Sequence, residues 1–142
     1  MSRSSILSMT NSIVFWAIVI AIGAFWFFGK PGSVGPSADE WFQSEVAQEE
    51  RPVLVKFGAE WCGPCHVMDD SIDKVAPEFG DQVKFVRVDV DQNKSLANHY
   101  RISSIPRTFL FQHGKIIAEQ SGALDPTRLK SWIQDSIAHI KD

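Results

Sequence analysis

The sequence predicts an α/β domain, a sheet with helices on both faces, preceded by one N-terminal transmembrane helix. Three observations lead there. From residue 37 onward, short apolar runs of strand length alternate with helical patterns in the order α-β-α-β-α-β-β-α. A hairpin and a last helix close that series. Ahead of it stands an uncharged stretch unlike the rest of the chain. Residues 1–29 therefore read as tail and transmembrane anchor, 30–36 as linker and 37–142 as the folded domain.

From Ser4 to Gly29 the chain runs 26 residues without a charge, and Ile13–Phe28 (IVFWAIVIAIGAFWFF) is apolar on every face. A buried helix of a soluble domain would show polar residues at a 3.6-residue period. As helix, Ile13–Phe28 reaches about 24 Å. A bilayer core needs roughly 20 mostly apolar residues, and the uncharged Thr10–Ser12 or Gly29 supply the difference. Trp26, with Lys30 just outside, fits an interfacial anchor. The competing reading is a cleaved secretory signal, which wants an apolar region of roughly 7–15 residues and small residues before the cut. Here the run is longer, Phe27, Phe28, Lys30 and Pro31 at its end are bulky, charged or rigid, and Pro36-Ser37-Ala38 is a weak cleavage site. The uncleaved anchor is preferred. Basic residues count toward the inside, so Arg3 puts the short N-terminus inside and the domain on the extracytoplasmic (periplasmic) side. Gly29–Pro36 (GKPGSVGP) has linker composition, and eight residues span at most ~28 Å, which holds the domain close to the bilayer.

Ser37-Ala38-Asp39-Glu40 is a capping-box pattern, and Trp41, Phe42 and Val46 follow at helical spacing, predicting a helix over about 38–49. After Pro52, Val53–Phe57 reads as a strand. Val67, Met68, Ile72, Val75, Ala76 and Phe79 recur at steps of three and four, so a helix starts near Cys62 and runs to about 79. Val83–Asp89 is a second strand and Asn93–Tyr100 a brief helix. Thr108–Gln112 and Lys115–Ser121 are strands joined by a turn at His113-Gly114. Asp125-Pro126 is an N-cap with proline at the first helical position; Leu129, Trp132, Ile133, Ile137 and Ile140 line one face of the final helix.

Charge and cysteine usage exclude several classes. Of 14 basic and 17 acidic side chains, only Arg3 and Lys30 lie in the first 30 residues, which leaves 12 basic against 17 acidic in the domain. That balance is a poor match to a phosphate backbone, so no nucleic-acid partner is expected. Two cysteines exclude a disulfide-stapled scaffold. They are also too few for a zinc or iron–sulfur site, and the four histidines (66, 99, 113 and 139) are scattered, so no metal is expected.

The motif that carries chemistry is Cys62-Gly63-Pro64-Cys65 at a strand-to-helix junction. Two cysteines three apart in the first turn of a helix can close a small disulfide. The unpaired N–H groups and positive end of the helix dipole favour thiolate at Cys62. A thiolate attacks a disulfide, and the second thiol then resolves the mixed disulfide. Half of a zinc site, or two small buried apolar residues, are the bland alternatives. The first lacks its second pair of ligands, and the second makes the flanked Gly-Pro after a strand an accident.

Trp61-Cys62-Gly63-Pro64-Cys65 resembles the active-site motif of the thioredoxin family. The resemblance extends from Ser37 to Ile140, through Phe57, Ala59 and Glu60, Asp91-Gln92-Asn93, Ile105-Pro106, Gly114 and Gly122. It implies a thioredoxin fold, a central mixed sheet of four to five strands flanked by helices. It implies Cys62 as the exposed nucleophile and Cys65 as the buried resolving thiol, a redox-active pair needing no bound cofactor. It also implies that Trp61 and the Ile105-Pro106 loop, similar to the family's cis-proline loop, flank a groove for substrate backbone, with Gly63 and Pro64 at its floor. The Gly63-Pro64 pair is similar to reductant members, whereas oxidants and isomerases usually carry a His between the cysteines. His66 falls just after the pair, either as a modulator of the thiols or as a solvated helix residue with Asp69 and Asp70 one turn on.

Four positions depart from the family's pattern. Where the family carries a buried acid six residues before the first cysteine, this chain has Lys56. The reading taken here is that Lys56 stabilises thiolate and shifts the couple to a less reducing potential. Arg87 on the next strand would repel Lys56 if both point the same way. A helix-kinking proline is replaced by Asp70, and Arg107 follows Pro106, there to contact substrate or lipid headgroup or simply to serve the structure. Finally, Gly32–Pro36 makes a poor first strand, which favours four strands over five.

The function expected is a membrane-tethered thiol–disulfide oxidoreductase that reduces disulfides of membrane-proximal or exported proteins. Its partners are disulfide-containing protein substrates, the membrane through the N-terminal helix, and a thiol reductant or membrane electron donor. The alternatives are a dithiol oxidase or isomerase of the same fold and a non-catalytic binding module.

Overall fold

A computed structural model describes residues 35–139. The expected anchor over 1–29, most of the expected linker over 30–36, and Ile140 lie outside the described residues. No described helix is long and apolar enough to cross a membrane.

The chain opens with a short helix, α1 (Glu40–Phe42), that widens into a π-helical turn over Gln43–Ala47. Its cap is Asp39, whose carboxylate accepts from the Phe42 N–H at 2.9 Å, rather than Ser37 as the capping-box pattern predicted. Ser37 is committed elsewhere. Its N–H donates to the Tyr100 hydroxyl at 3.1 Å and its own hydroxyl accepts from the Asp39 N–H. Strand β1 (Val53–Gly58) leads to helix α2 (Gly63–Phe79), then β2 (Lys84–Asp89), α3 (Lys94–His99), β3 (Arg107–Gln112), β4 (Lys115–Ser121) and α4 (Pro126–Ala138).

The four strands make one mixed sheet in the order β2-β1-β3-β4. The pair β1 and β2 is parallel, which requires the crossover through α2; β1 with β3 and β3 with β4 are antiparallel. All six residues of β1 are buried, as a central strand covered on both faces demands, while β4 alternates between exposed and half-buried positions as an edge does. At the β3–β4 turn both His113 (φ 49) and Gly114 (φ 72) take the left-handed conformation, the geometry of the tightest hairpins.

Two apolar layers result. On one face Phe42, Val55, Phe57, Tyr100, Phe109 and Phe111 meet, with Tyr100 4.8 to 5.9 Å in ring separation from its aromatic neighbours. Burial pushes the Tyr100 hydroxyl up to about 12, against a smaller downward pull from the Ser37 N–H. On the other face Leu54 and Leu110 pack under Met68, Ile72 and Val75 of α2 and Leu129 and Ile133 of α4. Val67, counted above in the apolar pattern of α2, faces solvent at 55% exposure. Helix α2 tolerates Pro77 near its end, seven residues beyond the position where a proline was expected and Asp70 stands. With the central strand carrying α2 directly after it, the end of β1 is where side chains from several elements converge.

Candidate active site

Cys62 caps α2 in an extended conformation (φ −91, ψ 104), and Pro64 stands in the first helical turn, where its missing N–H leaves no hydrogen bond unmade. Cys62 and Cys65, with Cα atoms 5.2 Å apart, form a disulfide. The Cys62 sulfur also accepts from the Cys65 N–H at 3.3 Å, a donor of the helix start that it shares with the Cys62 carbonyl at 3.0 Å. In this disulfide-bonded form Cys62 is only 4% exposed, against 0% for Cys65, so the contrast expected between them is small. The reason is packing: the pair sits against Ala59, with Val90 and Ile105 closing over it.

The flanking residues follow from the ladder and the loops. Trp61 stands out at 73% exposure, and its indole N–H donates to the Asp91 carboxylate at 2.8 Å, which fixes the ring at the β2–α3 loop. Gly63 and Pro64 are exposed beside it. The Ile105–Pro106 peptide is cis, with Pro106 buried and Ile105 half-buried against the cysteines. Sequence alone did not give the cis bond, since only about 5–6% of X–Pro bonds adopt it. Trp61, the disulfide and Ile105-Pro106 thus share one surface.

Behind the disulfide lies a charged cluster. Lys56, 5% exposed, donates to the Asp69 carboxylate at 2.7 Å. Arg87 is level with Lys56 in the parallel ladder, the placement in which the two charges would repel. The structure corrects that expectation. Asp69 stands between them, taking Lys56 on one oxygen and Arg87 on the other at 2.9 Å, and Arg87 reaches on to Asp73 at 2.5 Å. Burial works against the Arg87 charge, but these two carboxylates outweigh it and hold its guanidinium above the usual range. A Cβ at Gly58 would fall 2.7 Å from the Lys56 Nζ and 3.1 Å from the Cys65 Sγ. The ammonium and that sulfur are therefore no more than about 6 Å apart, inside the range where one charge alters another group's ionisation.

His66 does not meet Asp69 or Asp70. Exposed, it turns back to donate from Nε2 to the Glu60 carbonyl at 2.7 Å. Arg107 is taken up by β4: it donates to Glu119 at 2.9 Å and to Ser121, and lies 5.5 Å from the Phe109 ring centre. Three residues at the site make contacts that the sequence did not assign. Asp69 had a signal, falling four after Cys65 and so on the same helical face. Asp91, 30 residues from its indole partner, and Gly58, whose role depends on the Lys56 stem, had none. Among the described residues no cluster of His, Cys, Asp and Glu is placed to hold a metal ion.

The thioredoxin family model matches residues 33–135. The chain is similar to a thioredoxin of Haemophilus influenzae, 38% identical over 96 residues that cover 68% of this chain and 90% of the relative. It is 42% identical to thioredoxin 1 of Synechococcus elongatus over 67% of this chain and 89% of that one, and 38% identical to a thioredoxin of Griffithsia pacifica over 77% and 97%. Each of these likenesses covers about nine-tenths or more of the relative, and the pair whose geometry is described above falls inside the residues that the family model matches. The chain belongs to the thioredoxin family, a thiol–disulfide oxidoreductase whose electrons reside in its cysteine pair with no further cofactor.

Proposed function

We propose that this oxidoreductase is tethered to a membrane by residues 1–29 and reduces disulfides of membrane-proximal or exported proteins, with its domain on the extracytoplasmic side. Cys62 attacks the substrate disulfide and Cys65 resolves the mixed disulfide. Trp61, Gly63, Pro64, Ile105 and Pro106 hold the substrate chain, while Lys56 and His66 modulate the thiols. One observation carries the chemistry: the disulfide sits at the mouth of α2, where the Cys65 backbone N–H, shared with the Cys62 carbonyl, also points at the Cys62 sulfur. The same N–H would stabilise a thiolate there. The tether is supported by the uncharged run from Ser4 to Gly29. On the extracytoplasmic side a reductant needs electrons delivered to it, so its partner is a thiol reductant or a membrane electron donor.

The test is reduction of insulin disulfides by the full chain. Cys62→Ser is expected to abolish turnover; a variant as active as the parent removes Cys62 as nucleophile and leaves a binding module. The potential of the pair separates reductant from oxidant, since thioredoxin lies near about −270 mV and a strong oxidant of the fold near about −120 mV.

A further inference from the structure

We propose that Lys56, Asp69 and Arg87 form a charge relay behind the disulfide: the Lys56 ammonium favours the anion of Cys65, and Asp69 is the positioning residue that holds the ammonium and limits its effect. The proposal rests on Cys65 being the resolving thiol, as read above.

Burying an ammonium on a central strand is expensive unless it is paired, and an apolar side chain there would have served the core as well. Lys56 has a partner, Asp69, which takes one of its three donors. The Cys65 sulfur lies within about 6 Å of the same ammonium, across the space left by Gly58. That sulfur is neutral in the disulfide and becomes anionic only when the thiol is about to resolve a mixed disulfide. The lysine therefore acts at one stage of the cycle. Asp69 opposes it, because a carboxylate beside the ammonium cancels part of its field; Arg87 in turn draws on Asp69 and weakens that opposition. The other titratable groups around this cleft of about 190 Å³ are Glu60, His66 and Asp89, with Asp73 holding the far side of Arg87. On β3 the residue opposite Lys56 in the ladder is Thr108, uncharged and buried, its hydroxyl without a partner. Glu60, His66 and Arg87 are exposed, so the cleft opens to solvent beside Gly58, against which the Cys65 sulfur lies.

The step balances as follows. Cys65 loses its proton to solvent, and its thiolate attacks the Cys62 sulfur of the mixed disulfide. The Cys62–Cys65 bond forms as the bond to the substrate sulfur breaks, and the substrate leaves as thiolate with the electron pair. The enzyme's two sulfurs are oxidised and the substrate's are reduced.

The test isolates that step. Full-length reduced protein is mixed with the aromatic disulfide DTNB, and release of the second thionitrobenzoate from Cys62 is followed in stopped flow against pH. Lys56→Met is expected to raise the midpoint of release by about one to three pH units. Release at neutral pH then slows about threefold per unit, since the lost thiolate is partly offset by greater nucleophilicity. Asp69→Asn is expected to move the midpoint the opposite way. Arg87→Gln, at a half-exposed site that does not endanger folding, moves it upward by less than Lys56→Met and keeps the test decisive if the lysine variant does not fold. Profiles that coincide with the parent, or Lys56 and Asp69 variants that shift in the same direction, overturn the relay while leaving Cys65 as resolving thiol. A parent that fails to release the second thionitrobenzoate, or a Cys65→Ser variant that still does, overturns the resolving role itself and the relay with it.

Discussion

Tyr100 is the chain's one tyrosine, and its hydroxyl sits at the inner end of an aromatic cluster with the Ser37 N–H upon it. Its ionisation is therefore readable without interference from other phenols. Tyrosinate absorbance is expected to rise with a midpoint at about 12 instead of 10. The sign for stability follows. A group whose folded value is raised adds stability that is complete below pH 10 and is lost as pH climbs through about 12, so denaturant midpoints should be flat to pH 10 and fall beyond it. A midpoint at 10 with the fold intact would contradict the burial described. At this scale the two cysteines, Trp61 and Ile105-Pro106 could be read from their spacing and company, because a motif is local. Asp69 and Asp91 could not be placed, because each meets its partner only through strand register and loop path.

The caps and turns decide where elements begin, and they make separate predictions. Asp125 accepts from the Arg128 N–H at 3.1 Å and stands exposed, so Asp125→Ala removes a cap together with one exposed 3.6 Å ion pair to the Arg128 side chain. The expected loss is about 1 kcal/mol, or a Tm lower by about 4–8 °C in a thermal melt. Gly114→Ala meets two obstacles, the positive φ of 72 and Ala47 atoms 3.2 and 3.3 Å from the new Cβ. It is expected to be destabilising by on the order of 1–2 kcal/mol in urea titration. The strands, α2, α4 and the hairpin were legible because their periodicities are long or their turn chemistry is specific. The first helix was legible in its place but not in its pitch. Its apolar spacing promised an α-helix over 38–49, but the backbone widens to a π turn after Phe42, and a pattern of apolar residues does not tell one helical pitch from a slightly wider one over two turns.

At the scale of the whole fold, the described residues make a four-stranded mixed sheet whose helices on two faces agree with the order of elements, while the first three of Gly32–Pro36, the stretch read as a poor first strand, lie outside the described residues. The tether makes its own prediction: the full chain should stay with membranes through alkaline carbonate extraction, and reporters fused at its C-terminus should be active only outside the cytoplasm. Protein recovered in the supernatant would remove the anchor from the proposal, and a cytoplasmic reporter signal would reverse the side. One feature of the site reaches beyond this chain. The Lys56 stem fills the space that a side chain at position 58 would need, so the two positions are not free to drift apart over evolutionary time. A lineage that shortens residue 56 to a small acid removes the nearer obstacle to a Cβ two positions on, leaving the Cys65 sulfur as the remaining limit, and one that keeps the lysine in its Asp69 pair keeps the glycine. Ancestral substitutions at these sites should have arrived as a couple.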